Sequence, residues 1–322
     1  MKKTKLVGMG LILVMFLSLL AGCGQKQVAT AVKEQDAAKT DKTVLVGVSL
    51  ESLDGFLVYV ADGVQAYGKD HPNVKVVVQN ASHDAATQIK QVESFISQGA
   101  KAVVIKAVDK DATGPITDMC KKAGVKLIAT NVDMNSEKDV YVGSDHKYSG
   151  QIETEYVAKL LNGKGNVGIL LGDPSHDAAQ DRTGAAKAVI AKNPDMKVVA
   201  EQTGMWNRDK GMAVAENWIQ SGKQIDAIIA NNDEMAIGAV LAYKAAGKKI
   251  VIAGIDATKD ALTFEKQGLL SVTVFQDGFN QGYKAIEAAD KLINGQTVPK
   301  YVDVPYQLVP PDKVDEFLAK FK

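Results

Sequence analysis

The segment Val44–Leu50, with the sequence VLVGVSL, is an unbroken apolar run of strand length. Three further runs of this kind follow at Val74–Val78, Ala102–Lys106 and Val125–Ala129. The stretches between them carry apolar residues at helical spacing, for example over residues 89–96. Unbroken apolar strands are typical of parallel sheets that helices cover on both faces. The first half of the chain is therefore predicted to form a parallel α/β domain.

The second half of the chain repeats this rhythm. Apolar runs begin near residues 166, 197, 225 and 249, at spacings of about 31, 28 and 24 residues. The corresponding spacings in the first half are about 30, 27 and 24 residues. Each array is long enough to bury a sheet of its own. The predicted fold class is therefore α/β, with two similar doubly wound parallel-sheet lobes.

The end of the chain must be shared between the two lobes. It contains a predicted strand over Leu269–Phe275, a helix over Gln281–Ile293 and a last strand near Tyr301–Val304. We expect the chain to cross between the lobes more than once, which makes a multi-strand hinge of three connections. The predicted bounds are 43–144 with 277–303 for the N-terminal lobe and 145–276 with 304–322 for the C-terminal lobe.

The first residues have the pattern of an export signal. Three lysines precede an apolar run over Leu6–Leu20, which is shorter than a typical transmembrane span. The run ends in Leu20–Cys23 (LAGC), which resembles the lipobox of bacterial lipoproteins. We expect a signal peptide over 1–22, and Cys23 as the carrier of acyl chains such as palmitate at the cell membrane. Residues 24–42 are small and polar and are predicted to be a flexible tether. An ordinary secretory signal with an incidental cysteine is the alternative.

The charge balance and the spacing of reactive residues argue against several functions. The chain has 38 basic and 38 acidic residues, so nucleic-acid binding, which relies on basic excess, is not expected. The four histidines, at 71, 83, 146 and 176, lack metal-ligand spacing, and the sequence has no nucleophile elbow or phosphate-binding glycine loop. We therefore expect no catalysis, no cofactor and no metal. Asp54 and Asp256 could form an acid–base pair, which leaves a glycoside-processing enzyme as an alternative.

Polar and aromatic side chains follow the predicted strands. The segments concerned are Glu51–Phe56, Asn80, Lys106–Asp109, Asn131–Asp133, Gly172–Asp177, Trp206–Asp209, Asn231–Glu234, Asp256 and Gln276. In parallel sheets, ligands bind just beyond the carboxyl ends of the strands. Carboxylates, amides, guanidinium groups and flat aromatic faces suit the hydroxyls and C–H surface of a polyol. The role of Lys106 is left undecided, because its side chain could contact a ligand, order the hinge or be solvated.

Two groups of motifs carry a family resemblance. Asn231–Gly238 (NNDEMAIG) and Gly254–Thr258 (GIDAT) resemble the ribose-type periplasmic binding proteins, which have the type I fold. Gln202–Met212 (QTGMWNRDKGM) and Val274–Gln276 (VFQ) are more similar to the myo-inositol-binding branch. The similarity runs in order from Val44 to about Val309, which is nearly all of the chain after the predicted tether.

The resemblance implies a ligand pocket, carried over by position. Its residues are Asp54, Phe56, Asn131, Arg182, Trp206, Asn232, Asp256 and Gln276. By this resemblance, Phe56 and Trp206 would lie against the two faces of a ring, and Asp54 would accept or relay a hydrogen bond from a hydroxyl. The chain departs from the ribose pattern at Val132, where those proteins usually have Arg, and at Leu57, where a second Phe is common.

Four of these residues also have a structural alternative. Asn232 or its neighbour Asp233 could cap the following helix, and Asp256 could cap the helix after it. Arg182 could pair with the adjacent aspartate at the surface. Trp206 could be a half-buried residue at a helix start. These alternatives differ in what each side chain contacts, which the sequence leaves undecided.

The resemblance implies a monomeric, extracytoplasmic solute-binding lipoprotein that captures a neutral sugar or cyclic polyol, with an inositol-like ligand favoured. The partner it implies is the permease of an ABC transporter. The alternative is a receptor for ribose, another pentose or a hexose that feeds a chemoreceptor or a sensor kinase.

Overall fold

The computed structural model describes residues 43–53 and 55–321, so the predicted signal peptide, Cys23, the predicted tether and Asp54 lie outside the described residues. The strands are β1 (Val44–Leu50), β2 (Val74–Asn80), β3 (Ala102–Ile105), β4 (Lys126–Thr130), β5 (Val140–Gly143), β6 (Lys164–Leu171), β7 (Asp195–Thr203), β8 (Ala227–Ala230), β9 (Val251–Asp256), β10 (Val272–Phe275), β11 (Tyr301–Asp303) and β12 (Gln307–Val309). The helices are α1 (Leu57–Asp70), α2 (Ala85–Ser97), α3 (Gly114–Ala123), α4 (His146–Leu160), α5 (Asp177–Ala191), α6 (Arg208–Gln220), α7 (Asp233–Ala245), α8 (Lys259–Lys266), α9 (Gly278–Ile293) and α10 (Val314–Leu318).

The strands form two six-stranded sheets, in the orders β11-β5-β4-β3-β1-β2 and β12-β10-β9-β8-β6-β7. Every pair in the first sheet is parallel, and in the second sheet only β10 and β12 pair antiparallel. Successive side chains of a strand point to opposite faces. Val104 and Ile128 accordingly belong to one core cluster, while Val103 and Leu127 belong to the cluster on the other face. Both faces are buried, which confirms the predicted fold class.

The first sheet with its helices is termed the first lobe, and the second sheet with its helices the second lobe. Helix α9 packs on α1 and on β4 of the first sheet, although β10 just before it belongs to the second. β11 then pairs with β5 in the first sheet, and β12 pairs with β10 in the second. The chain therefore passes between the sheets after β5, after β10 and after β11. The residue bounds of the lobes stay a prediction.

Two strands of the structure are missing from the sequence-based prediction, namely β5 and β12. Each is short, with four residues in β5 and three in β12. In β12 only Val309 is buried, so the segment has no apolar run that would identify it. A strand of this length is stabilised by the neighbour with which it pairs, here β4 for β5 and β10 for β12. For β12 that pairing is a tertiary contact with no local signal, whereas β5, with three of its four residues buried, begins with the short apolar run Val-Tyr-Val, which could have identified it.

Candidate functional site

A cavity of about 150 Å³ lies between the two lobes, beyond the carboxyl ends of strands from both sheets. Seven of the eight predicted ligand-binding residues line it, and the eighth, Asp54, lies outside the described residues. The first lobe and the loop after β4 supply Phe56 and Asn131. The second lobe supplies Arg182, Trp206, Asn232, Asp256 and Gln276. The structure therefore brings the seven described residues together, while ligand binding by them stays a prediction.

The two lobes touch each other near this cavity. Lys110 of the first lobe forms an ion pair with Asp177 of α5 in the second. The backbone N–H of Lys259 donates to the Tyr59 hydroxyl at 3.4 Å, and the Tyr59 ring meets Phe321 edge-on with centroids 5.1 Å apart. The lobes thus have a closed arrangement, in which a ligand in the cavity would contact both.

Asp256 is the last residue of β9 and has an uncommon backbone conformation. Its φ is +133°, and Ala257 follows with a φ of +50°. Positive φ values are uncommon in non-glycine residues and are concentrated at functional sites. The hydroxyl of Thr258, and not the Asp256 carboxyl, caps α8 by accepting from the backbone N–H of Ala261 at 3.2 Å. The helix-capping alternative for Asp256 is therefore wrong, and its carboxyl lies in the cavity wall.

The environment of Asp256 disfavours its charge. Burial raises the pKa of the Asp256 carboxyl well above its usual value, and the nearby Asp233 carboxyl adds to the shift. The Arg182 guanidinium opposes it by favouring the carboxylate. Donors that hydrogen-bond to a carboxylate also favour the ionised form. A hydroxylated ligand is therefore expected to lower the pKa of Asp256 on binding.

Arg182 lies in α5, and the residue is only 3% exposed. Its Nη1 donates to the carbonyl oxygen of Asn231 at 2.5 Å. Its Nη2 donates to Gln276 Oε1 at 2.7 Å and to the Tyr306 hydroxyl at 2.6 Å. Arg182 does not form a surface pair with Asp181, because the Asp181 Oδ1 lies 3.8 Å from Lys147 Nζ instead. Arg182 is thus a buried cation in the cavity wall, held mainly by neutral acceptors.

A chain of hydrogen bonds links Arg182 to the first lobe. The Tyr306 hydroxyl lies 2.8 Å from His146 Nδ1, and His146 Nε2 lies 3.3 Å from the carbonyl oxygen of Asn131. Because a carbonyl can only accept, Nε2 carries the proton and Nδ1 accepts from Tyr306. Burial lowers the pKa of His146 to about 3, and the charge of Arg182 contributes. Asn131 Nδ2 in turn donates to Gln281 Oε1 at 3.0 Å. These contacts fix cavity residues of both lobes to the segments that connect the lobes.

Phe56 and Trp206 provide the aromatic walls of the cavity. The Trp206 indole lies over Gly172, where an added Cβ would come within 2.1 Å of the ring. Its Nε1 donates to His176 Nδ1 at 3.1 Å, and the two rings stack with an interplanar angle of 23°. The Phe56 ring lies against Gly278, at 2.8 Å from the position of an added Cβ. Glycine at both positions is therefore what lets these rings occupy their places.

Asn232 both lines the cavity and caps α7, so its structural alternative is observed. Its Oδ1 accepts from the backbone N–H of Met235 at 3.1 Å, and its Nδ2 donates to the carbonyl oxygen of Trp206 at 3.1 Å. One N–H of the amide remains for a ligand. Asp233 does not cap the helix, because its Oδ1 accepts from the Thr273 hydroxyl at 2.7 Å inside the second lobe.

Two charged residues of the cavity wall, Glu51 and Lys106, were not among the predicted ligand-binding residues. Glu51 follows β1 and Lys106 follows β3, and their side chains form an ion pair. Lys106 is 3% exposed, so the solvated alternative for it is wrong. Burial lowers the pKa of the Lys106 ammonium to about 7, while the negative charge of Asp173 opposes this shift. The position of Glu51 and Lys106 after strands was the signal that could have identified them.

Three histidines that are far apart in the sequence, His83, His146 and His176, also line the cavity. Burial lowers the pKa of His176 to about 4, and the charge of Lys106 contributes. Within residues 43–53 and 55–321, no group of His, Cys, Asp or Glu side chains is arranged to hold a metal ion. In the same part of the chain, no helix is long and apolar enough to cross a membrane.

Comparison with known proteins agrees with this geometry. The family model described as the periplasmic binding protein domain matches residues 25–297. The chain belongs to the periplasmic binding protein family. A protein of Rhizobium meliloti that carries the name rhizopine-binding protein is 37% identical over 91% of this chain and 97% of its own. The ribose import binding protein of Bacillus subtilis is 32% identical over 92% of this chain and 96% of its own.

A solved structure has the same fold. It is an ABC transporter solute binding protein from Bacillus halodurans with bound myo-inositol, 38% identical in sequence. The match covers 88% of this periplasmic binding protein and 99% of that chain, with a TM-score of 0.84. Family membership confirms the resemblance predicted from the motifs and implies an extracytoplasmic location.

Proposed function

We propose that this periplasmic binding protein captures a neutral sugar or cyclic polyol, with an inositol-like ligand favoured, and delivers it to an ABC transporter. The observation that carries the proposal is the composition of the cavity between the lobes. Phe56 and Trp206 offer flat apolar faces, while Asp256 and Arg182 offer an acceptor and a donor. A hydroxylated ring needs both kinds of contact. The myo-inositol bound to the Bacillus halodurans protein supports the choice of ring.

Ligand binding would favour the closed arrangement because the cavity residues come from both lobes. A ligand shifts a conformational equilibrium only by its differential affinity for the two states, and contacts to the first lobe exist only on closure. Hinge closure around a ligand is the usual behaviour of periplasmic binding proteins. We propose that the protein acts as a monomer and that its lobes have the predicted bounds. We also propose that it performs no catalysis, since its relatives carry the names of binding proteins.

Isothermal titration with a panel of inositols, pentoses, hexoses and pentitols tests this proposal on the purified domain without its first 42 residues. We expect an inositol to bind most tightly, because a saturated ring with hydroxyls around its edge would place its two C–H faces against Phe56 and Trp206. Ribose as the tightest ligand would favour the alternative receptor function, which the 32% identical ribose import binding protein supports. If no member of the panel bound even at high micromolar concentration, the sugar and polyol proposal would be wrong.

We propose in addition that a lipid on Cys23 anchors the protein at the extracytoplasmic face of the cell membrane. The Cys23→Ser variant is then expected to leave the membrane pellet and appear in the soluble fraction, because Cys23 supplies the acceptor sulfur of the LAGC segment. The chain has only one other cysteine, Cys120, so Cys120→Ala is the matched control and should stay in the pellet. Membrane fractionation with immunoblotting measures both. A Cys23→Ser protein that is processed yet stays in the pellet contradicts the anchor.

A further inference from the structure

The ion pair of Glu51 and Lys106 occupies the first-lobe wall of the cavity. The Glu51 side chain is 11% exposed and the Lys106 side chain 4%. β1 and β3 are neighbouring parallel strands, with Ser49 opposite Ile105. The residues that follow these strands therefore emerge side by side at the same edge of the sheet. Both line the cavity that Asp256 and Trp206 line from the opposite lobe.

The backbone around this pair is fixed by a buried amide. Gln88 Nε2 donates to the carbonyl oxygen of Lys106 at 2.9 Å, and Gln88 Oε1 accepts from the backbone N–H of Val108 at 3.0 Å. Glu51 Oε1 also accepts from His83 Nδ1 at 3.0 Å. These contacts hold the carboxylate and the ammonium in a defined place before any ligand arrives. The pair is thus a preorganised part of the wall.

The position of the pair argues for a role beyond folding stability. Removing two charges from water is unfavourable, and a buried ion pair often stabilises a fold no better than apolar residues of the same volume. At a cavity wall, however, the pair presents an acceptor and a donor next to each other. A hydroxyl can accept from the ammonium and donate to the carboxylate at once. A ligand ammonium or carboxylate would match one of the two charges and be repelled by the other.

We propose that the Glu51–Lys106 pair selects uncharged ligands. It binds a ligand hydroxyl, and it disfavours analogues that carry an amine or a carboxylate in place of that hydroxyl. This inference rests on the proposed function and deepens it. The wall is electrically balanced only while both partners are present. Removing either one takes the counter-charge away from the other, and a ligand of opposite sign to the remaining group would supply it again.

Two nearly isosteric variants test the inference in opposite directions. Lys106→Met removes the ammonium and leaves the Glu51 carboxylate with its His83 contact, and Glu51→Gln removes the carboxylate that pairs with Lys106. The compounds used are myo-inositol, scyllo-inosamine with one ammonium, and quinate with one carboxylate. We expect Lys106→Met to weaken myo-inositol binding about tenfold and to shift the affinity ratio at least about tenfold towards the inosamine. Glu51→Gln should shift the ratio towards quinate. Isothermal titration measures the affinity of each protein for each compound.

The double variant and a surface control complete the experiment. Lys106→Met with Glu51→Gln restores a neutral wall and should return the preference to myo-inositol. Lys121→Met, which removes one partner of an exposed ion pair with Glu137, should leave every ratio unchanged. A wild-type protein that prefers myo-inositol, with variants that keep the same ratios, overturns the inference and leaves the proposed function intact. A wild-type protein that binds a charged compound best overturns the inference and also contradicts the proposed neutral ligand. A wild-type protein that binds none of the three overturns the inference and the choice of an inositol-like ligand, while a sugar ligand from the wider panel would still agree with the proposed function. Melting temperatures identify a variant that fails to fold. If one single variant fails to fold, the affinity ratios of the other single variant test the inference.

Discussion

The Asp256→Ala variant is expected to bind its ligand at least about two orders of magnitude more weakly than the wild type. A carboxylate has two acceptor oxygens and can take two adjacent ring hydroxyls. Hydrogen bonds to charged groups contribute about 1.5–3 kcal/mol each, and each 1.4 kcal/mol is about tenfold in affinity. Asp256→Asn keeps the shape but replaces one acceptor by a donor, so it should also bind poorly. Isothermal titration with the tightest ligand of the panel measures both effects.

The same substitution should change the stability of the unliganded protein little. Burial raises the pKa of the Asp256 carboxyl, so the folded chain gains nothing from its charge, and the Thr258 hydroxyl caps α8 in its place. The control is Asp118→Ala, since Asp118 is exposed on α3 away from the cavity. An affinity of Asp256→Ala within about threefold of the wild type would place the site elsewhere. A collapse of the melting temperature without ligand would instead make Asp256 a structural residue.

Loss of the Trp206 indole is expected to have the second largest effect. Trp206→Ala should weaken binding by about 1–3 kcal/mol, or roughly 5- to 150-fold, because the ligand loses apolar contact with a flat ring. Trp206→Phe retains a flat face and should keep most of the affinity, which makes it the matched control. Gly172→Ala tests the position of the ring while leaving the indole itself intact, since the new Cβ would lie within 2.1 Å of the ring.

The three variants Trp206→Ala, Trp206→Phe and Gly172→Ala test the same contact and should give consistent changes in affinity. If Trp206 stacks on the ligand, Gly172→Ala and Trp206→Ala should both weaken binding, and Trp206→Phe should weaken it least. Intrinsic fluorescence provides an independent measurement, because the chain has only two tryptophans and Trp218 is buried in the second lobe. Unchanged affinity in Trp206→Ala would assign the indole to the packing of α6 and would leave Phe56 as the aromatic contact.

The sequence alone determined the fold class and most of the elements that position the cavity. Apolar runs such as Val44–Leu50 are local signals, because burial on both faces of a parallel sheet demands apolar residues throughout the strand. Once the strands are known, their carboxyl ends are known too, and ligands of parallel sheets bind there. The positions of Asp256 and Trp206 after strands placed them among the candidates, and the family motifs then selected them from that larger set; both residues line the cavity.

Only the tertiary structure decided which side chains meet. Glu51 and Lys106 pair because β1 and β3 are neighbours in the sheet, and His146 reaches Tyr306 because the chain returns to the hinge about 160 residues later. The short strand β12 likewise depends on its pairing with β10. Local periodicity records whether a residue is buried in its own strand or helix. It carries no information on which distant segment packs against that residue, since such contacts form only when the whole chain folds.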